Sequence, residues 1–482
     1  MALPACDLFD PTDVDNPLVT VDDVLDAPRP TATLLPGLRG QFARTLGAVV
    51  TTTEPVTDNV SVHDSGLSFE LDTPRELTSR SGILNTSGRV GAYWNLQELR
   101  AYGDLVLDEV VPSDTTATAD ERAEAHVWRA LAYVMLGENF SAAPVQPDGA
   151  PVPARQHLDR ALTDLRAARS LAADVDLVLR AEAVLARTFR ALGQADSAAF
   201  YAQAALDRDA EFAFVQGFDG GITSLGNEAY EYVAGRLTQD LQPLPRLDFL
   251  DPKYTAPEAG IAYAKAEEMR LLLAETAMAR GNYNAGIENL AAASALAQRR
   301  AVVSFAEQDV RLGAGGVLRP RDARIAVRAD ADSPLRDGLV LQRPTAPFSL
   351  PVPVLSATSI SADSVRTLSA GAEVQLRRLL YTLRQEILYL EGRRMHDLGI
   401  RLPIMRREID TNSGVSEGDA GTTVVVPAYI PEGTTMDRYT PFEDLYDGLE
   451  RLQSDEVTML VDMNRVLATE RGLVVTNPQL DG

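Results

Sequence analysis

Lysine is nearly absent from this chain: Lys253 and Lys265 are the only two in 482 residues, and every other basic residue is arginine. The bias is read as composition, of a GC-rich genome or a salty habitat, rather than as a site. Cysteine is rarer still. Cys6 stands alone, which excludes an intrachain disulfide and any cysteine-rich metal centre. The four histidines, His63, His126, His157 and His396, are scattered without HExxH-like spacing. His126 and His157 fall beside apolar helical stripes, where packing or capping is the default role. No apolar run approaches the roughly 18 residues that a membrane helix needs. Positive charge is also in deficit, the formal net charge being −24. Nucleic acid is thereby disfavoured, because phosphates require basic grooves. Attachment to anionic lipid through basic residues is disfavoured for the same reason.

Alanine at helical spacing is abundant. The 45% hydrophobic content supports a large core, in one big or two modest domains. In the stretch 261–297 the residues Ala262, Ala266, Met269, Leu273 and Ala277 form one face of a helix. Gly281 and Asn282 break it, and Tyr283, Ile287, Leu290, Ser294 and Ala297 form a second face. The pattern predicts two antiparallel helices with alanine-rich contacts. A related pair surrounds Gly193: Leu177, Ala181, Leu185, Phe189 and Leu192, then Ala198, Tyr201, Ala202 and Ala205. A degenerate third pair sets Val127, Leu131, Val134 and Met135 against Leu158, Leu162, Leu165, Ala168 and Ala172. One hairpin cannot bury both faces, so repetition of this kind predicts stacked hairpins like those of tetratricopeptide repeats. The fold class expected is mainly α, with a loop-rich, partly short-strand half inserted.

In chain order, Pro30–Val50 predicts a first helix and Val90–Val111 a second, while Ala119–Gly137 predicts a helix ending at its glycine. The region 302–364 carries short apolar runs divided by Gly and Pro, and predicts small strands. Leu376 to Leu398 predicts one strong helix, TTVVVPAYIP a short strand, and FEDLYDGLERL a late helix. DTNSGVSEGD holds calcium-ligand residue types out of EF-hand order and is read as a loop. Aromatic residues concentrate in the Gly/Pro-rich insertion 207–257, including Phe218, Tyr230 and Tyr254. That concentration marks a candidate ligand surface, with Trp94 as a possible stacking platform and Asp58 and Asn59 as hydrogen-bonding partners. The acidic net charge, these aromatics and the lack of a metal cluster predict a neutral or weakly basic oligomer. A peptide would use the same aromatics, so the two classes are not separated, and the preference is for an oligosaccharide.

Several pieces together resemble the SusD/RagB family of bacterial surface lipoproteins. Leu3-Pro4-Ala5-Cys6 is similar to the end of a lipoprotein signal and leads into an acidic, Pro-containing tether. Arg129, Ala130, Tyr133, Leu136 and Pro144 match one family helix and turn, and Asp164, Leu165, Ala168 and Leu171 match another. Glu391, Gly392, Arg394, Asp397 and Leu398 match the EG.R..DL motif, although Met395 and His396 stand where aromatics are common. The resemblance implies a tether over about 1–29 and a single domain over about 30–482. Its scaffold would occupy about 90–206 and 258–298 plus a helix at 371–400, with ligand-facing loops at about 51–89, 207–257, 302–364 and 403–440.

It further implies acylation of Cys6, a place on the bacterial outer-membrane surface, and a TonB-dependent transporter as partner. The membrane would be reached only through the lipid. No cofactor, metal or catalytic residue is expected, since nothing sets a nucleophile beside the acidic motif. Glu391 to Arg394 and Arg394 to Asp397 are i, i+3 steps on one helical face, a spacing suited to a structural ion network. A helical-repeat adaptor that binds only proteins is the alternative.

Overall fold

The computed structural model describes residues 27–62, 69–88, 90–222, 225–235, 241–307, 322–343, 348–441, 446–447 and 451–480. Cys6, the tether before residue 27 and His63 lie outside them. The protein is mainly α-helical. Its principal helices are α1 (Pro30–Thr53), α2 (Ala92–Asp104), α3 (Ala119–Asn139), α4 (Ala154–Leu171), α5 (Val175–Ala191), α6 (Ala195–Arg208), α7 (Ala266–Ala279), α8 (Tyr283–Arg299) and α9 (Glu373–Ile387), followed by the short α10 (Arg394–Leu398) and α11 (Arg406–Thr411).

The hairpins α3/α4, α5/α6 and α7/α8 stack in sequence, α4 lying on α5 and α6 on α7. Both alanine-rich turns close by the same chemistry. Gly193 and Gly281 each have φ of 73°, the left-handed conformation that a Cβ disfavours. Around Gly193, Gln194 N–H donates to Phe189 C=O at 2.9 Å and Gly193 N–H to Arg190 C=O at 3.0 Å. Around Gly281 the equivalent bonds run from Asn282 to Ala277 at 2.8 Å and from Gly281 to Met278 at 2.9 Å. These paired bonds satisfy the carbonyls that a helix end leaves open. The Asn282 side chain then caps α8, accepting from Ala285 N–H at 3.2 Å.

Five sequence expectations are corrected. Ile261–Lys265 is a strand, antiparallel to Ala213–Gln216, so the helix begins only at Ala266. Its side chains are buried on both faces, and such a strand has no alternation to distinguish it from a helical start. Gly137 lies inside α3 rather than ending it: a Cβ there would stand 2.7 Å from Leu158 Cγ, so the residue is small to admit α4. The helix expected through Leu398 stops at Ile387, because Leu390 and Gly392 take φ of 53° and 69°. TTVVVPAYIP contributes only isolated bridges, Thr78 with Thr423 and Arg401 with Val425. In the expected late helix, Tyr446–Asp447 instead pairs with Arg451–Leu452 as a strand ladder. The small strands expected after residue 302 are present, Val302–Glu307 pairing antiparallel with Phe348–Pro353.

Ala274 on α7 and Ala291 on α8 are both fully buried. Ala274→Leu or Ala291→Leu is expected to destabilise the protein by about 1–3 kcal/mol through overpacking. Thermal denaturation checks this, and wild-type melting of both variants would show that the interface has room.

Candidate functional site

The residues singled out by sequence divide between a buried junction and an open cleft. At the junction, Glu391 stands in the turn between α9 and α10, and its Oε1 accepts from Lys253 Nζ at 2.7 Å and Lys265 Nζ at 2.6 Å. The two lysines of the whole chain therefore meet on one carboxylate oxygen. Tyr254 donates its hydroxyl to Leu390 C=O at 2.6 Å and is 1% exposed. Asp58 is held by Arg394 Nε at 2.7 Å and Nη2 at 2.8 Å, and also by Arg246. Asn59 donates to Glu54 Oε2 at 2.6 Å, and Gly392 N–H donates to Glu54 Oε1 at 2.6 Å. Asp397 accepts from Arg384 at 2.7 Å and pairs with Arg190 at 2.9 Å.

Glu391, Arg394 and Asp397 thus belong to a buried ion network, but each is paired with a distant segment and not with its neighbours along the helix. The reading of Asp58, Asn59 and Tyr254 as ligand contacts is corrected, because all three are fully enclosed and their polar atoms are engaged. The insertion's other aromatics mostly serve packing. Phe212 and Tyr232 are buried, and Phe218 and Tyr230 lie half-buried against the main core. Phe214 packs on Tyr263 and carries the Arg180 guanidinium 4.8 Å from its centroid.

Burial governs the charge states of the junction. It pushes the Glu54 carboxyl up to about 7 against the opposing bonds from Asn59 and Gly392, and pulls the Lys253 ammonium down to about 8 despite the Glu391 charge. Asp58 and Asp397 are also penalised by burial, yet the arginines on each prevail and hold both below the ordinary carboxylate range.

The open cleft has a volume of about 550 Å³ and is lined by Arg80, Asn85, Arg406, Arg407, Asp410 and Thr411. Trp94 projects partly exposed from α2, and the Arg407 guanidinium carbon lies 5.2 Å from its ring centroid. The guanidinium thus lies over the indole as a cation–π contact, next to the cleft that Arg407 lines. Arg406 is fixed by Asp410 at 2.6 Å and Glu417 at 3.3 Å. Asn85 ties the facing loop to α11: its Oδ1 accepts from Arg406 N–H at 2.7 Å and its Nδ2 donates to Ser79 C=O. Sequence reasoning found Trp94 and missed its arginine partner. RREIDT carries no motif, and only the folded chain brings it to Trp94. Among the described residues, no three His, Cys, Asp or Glu side chains gather as a metal site.

Glu54 binds a proton more tightly in the folded chain than in the unfolded one, so its contribution to stability is present in acid and is lost as pH rises towards about 7. Lys253 has the opposite window, its lowered value adding stability as pH rises above about 8. Urea denaturation of wild type and Glu54→Gln between about pH 5 and pH 7 is expected to show the stability difference shrinking by on the order of 2–3 kcal/mol. A pH-independent difference would show that Glu54 is ionised throughout.

No family model matches the sequence, and no curated protein matches it. Solved structures do match. A SusD superfamily protein from Bacteroides thetaiotaomicron superposes with a TM-score of 0.50 at 13% identity, over 82% of this chain and 98% of that one. A SusD-like carbohydrate binding protein from Bacteroides vulgatus gives 0.48 at 13% identity, over 76% and 82% of the respective chains. A further SusD superfamily protein of Bacteroides vulgatus gives 0.47 at 11%, over 78% and 88%. The first of these spans nearly the whole of its partner and carries the assignment: this chain has the SusD-like fold.

Proposed function

We propose that this protein binds oligosaccharides at the bacterial outer-membrane surface and delivers them to a TonB-dependent transporter, without acting on them as an enzyme. The observation that supports this most is the contact of Arg407, which lines an open cleft, with the partly exposed Trp94 beside it, on a SusD-like fold. A sugar ring has an apolar CH face that gains by covering an indole, while its hydroxyls need polar partners. Asp58 and Asn59 do not supply them. The guanidinium groups of Arg80 and Arg407 line the cleft and offer several planar donors each. A wide, shallow cleft suits an extended oligomer that must be released again, whereas an enclosed pocket would suit tight retention of a monomer.

Trp94→Ala and Arg407→Gln are each expected to weaken oligosaccharide binding about tenfold or more, equivalent to about 1.4 kcal/mol. Tyr254→Phe is expected to leave affinity unchanged, since that hydroxyl is committed to Leu390. A glycan array followed by calorimetry on the hits measures both. Failure to bind any glycan, with binding of a partner protein retained, would favour the adaptor reading.

Anchoring through lipid on Cys6 and docking through the helical scaffold complete the proposal. Phe200 on α6 is 61% exposed, an apolar side chain that a partner would cover. Phe200→Asp is expected to abolish co-purification with the transporter while sparing glycan binding. Intact mass of the protein from its native host is expected to show diacylglycerol on Cys6; an unmodified thiol there would remove the anchor.

A further inference from the structure

A cavity of about 240 Å³ opens between α9 and the loop-rich half, remote in sequence from the Trp94 cleft. Its mouth is marked by the exposed Pro334 and Gln375, and its apolar walls include Leu247, Val327, Leu339 and Leu379. At its buried end lie Arg246, which is 7% exposed, and Asn464, which is 4% exposed.

The polar groups lining this end are not all satisfied. Gln385 is fully used, donating to Asp58 C=O and Asn59 Oδ1 at 3.0 Å each and accepting from Asn464 Nδ2 at 2.8 Å. Glu386 is used as well, accepting from Thr358 Oγ1 and Ser359 Oγ at 2.5 Å and from Ser359 N–H at 2.9 Å. Asp462 is paired with Arg378 at 2.5 Å and caps the turn at Asn464. Arg246 gives only Nη2, to Asp58, leaving Nε and Nη1 buried and without a partner. Asn464 Oδ1 is likewise buried and unpartnered.

A buried donor left unmade costs about 1–3 kcal/mol, and more when it is charged. Arg246 is ion-paired with Asp58 through Nη2, and both carboxylates that line the cavity are engaged elsewhere, so its Nε and Nη1 stay open. We propose that this cavity is a second binding site, for a small aliphatic carboxylate carrying a hydroxyl or amino group. The carboxylate answers the guanidinium, the hydroxyl or ammonium donates to Asn464 Oδ1, and the aliphatic body covers the leucine and valine walls. The volume sets the size. It is below the roughly 300–1,000 Å³ of sites for drug-sized ligands, and far above the 10–15 Å³ that one water needs.

Calorimetry and thermal shift on the full chain with L-leucine, 2-hydroxyisocaproate and leucinamide test this. Leucinamide has the same body and no carboxylate. Saturable binding of L-leucine or 2-hydroxyisocaproate is expected, with leucinamide at least tenfold weaker. Leu379→Trp, which fills the cavity from its partly exposed wall, is expected to abolish that binding, and Trp94→Ala to leave it unchanged. The amide comparison uses the wild-type protein and so does not depend on the variant folding. No saturable binding of either acid, equal binding of the amide, or binding that survives in a Leu379→Trp protein with wild-type circular dichroism would each overturn the proposal. None of these outcomes bears on oligosaccharide binding at Trp94.

Discussion

Two ammonium groups share one carboxylate oxygen at the centre of this molecule, and much of the fold is arranged to make that tolerable. Lys253, Lys265 and Glu391 are all fully buried. Charges removed from water are stable only when closely paired and further hydrogen-bonded. Each lysine meets the condition by also donating to a carbonyl of the turn that presents Glu391: Lys265 to Ile387, Lys253 to Tyr389. Tyr254 takes the carbonyl of Leu390. The turn between α9 and α10 therefore cannot be helical, since its carbonyls face the lysines and not their own helix. Leu390 and Gly392 adopt positive φ as a consequence of that demand, and Gly392 packs so closely on α1 that a Cβ would stand 3.2 Å from Val49 Cγ1.

The chain's preference for arginine makes the exceptions meaningful. Around the lysines, several buried arginines work as forks: Arg394 on both oxygens of Asp58, Arg187 on Glu138, and Arg190 bridging Glu275 and Asp397. A guanidinium has a fixed plane and suits a whole carboxylate. Guanidinium groups also share an oxygen, Arg394 and Arg246 both donating to Asp58 Oδ2, but there Arg394 engages the whole carboxylate. The chain's two lysines both fall at this one carboxylate.

The helical hairpins were legible in the sequence because their information is local. Gly193 and Gly281 break the apolar period where the left-handed residue falls, and the bonds that close each turn span only five residues. The SusD-like resemblance lay in other local pieces, among them residues 129–144, 164–171 and 391–398. The junction was legible only in part. The i, i+3 spacing of Glu391, Arg394 and Asp397 announced a network, yet their partners Lys253, Asp58 and Arg190 come from segments that no periodicity connects. For the same reason Tyr254 and Asp58 looked available: an aromatic or an acid in a Gly/Pro-rich loop gives no sign of being folded inward. Ile261–Lys265 failed differently, since a strand buried on both faces has no alternation to reveal it.

The interior and the cleft place opposite demands on their side chains. Inside, a change at Glu391 strands two ammonium groups, so that position is fixed by electrostatics alone. At the cleft, Trp94 stands on a helix backed by α1 and α3, whereas Arg407 comes from a helix of six residues held to the facing loop through Asn85. The platform is firm on one side and replaceable on the other. Residues such as Arg80 and Arg407 line the cleft and pair with none of the buried carboxylates, so the cleft's chemistry can change there without disturbing the charges that keep the scaffold closed. A fold whose stability lies in a distant ion network leaves its surface loops free to vary.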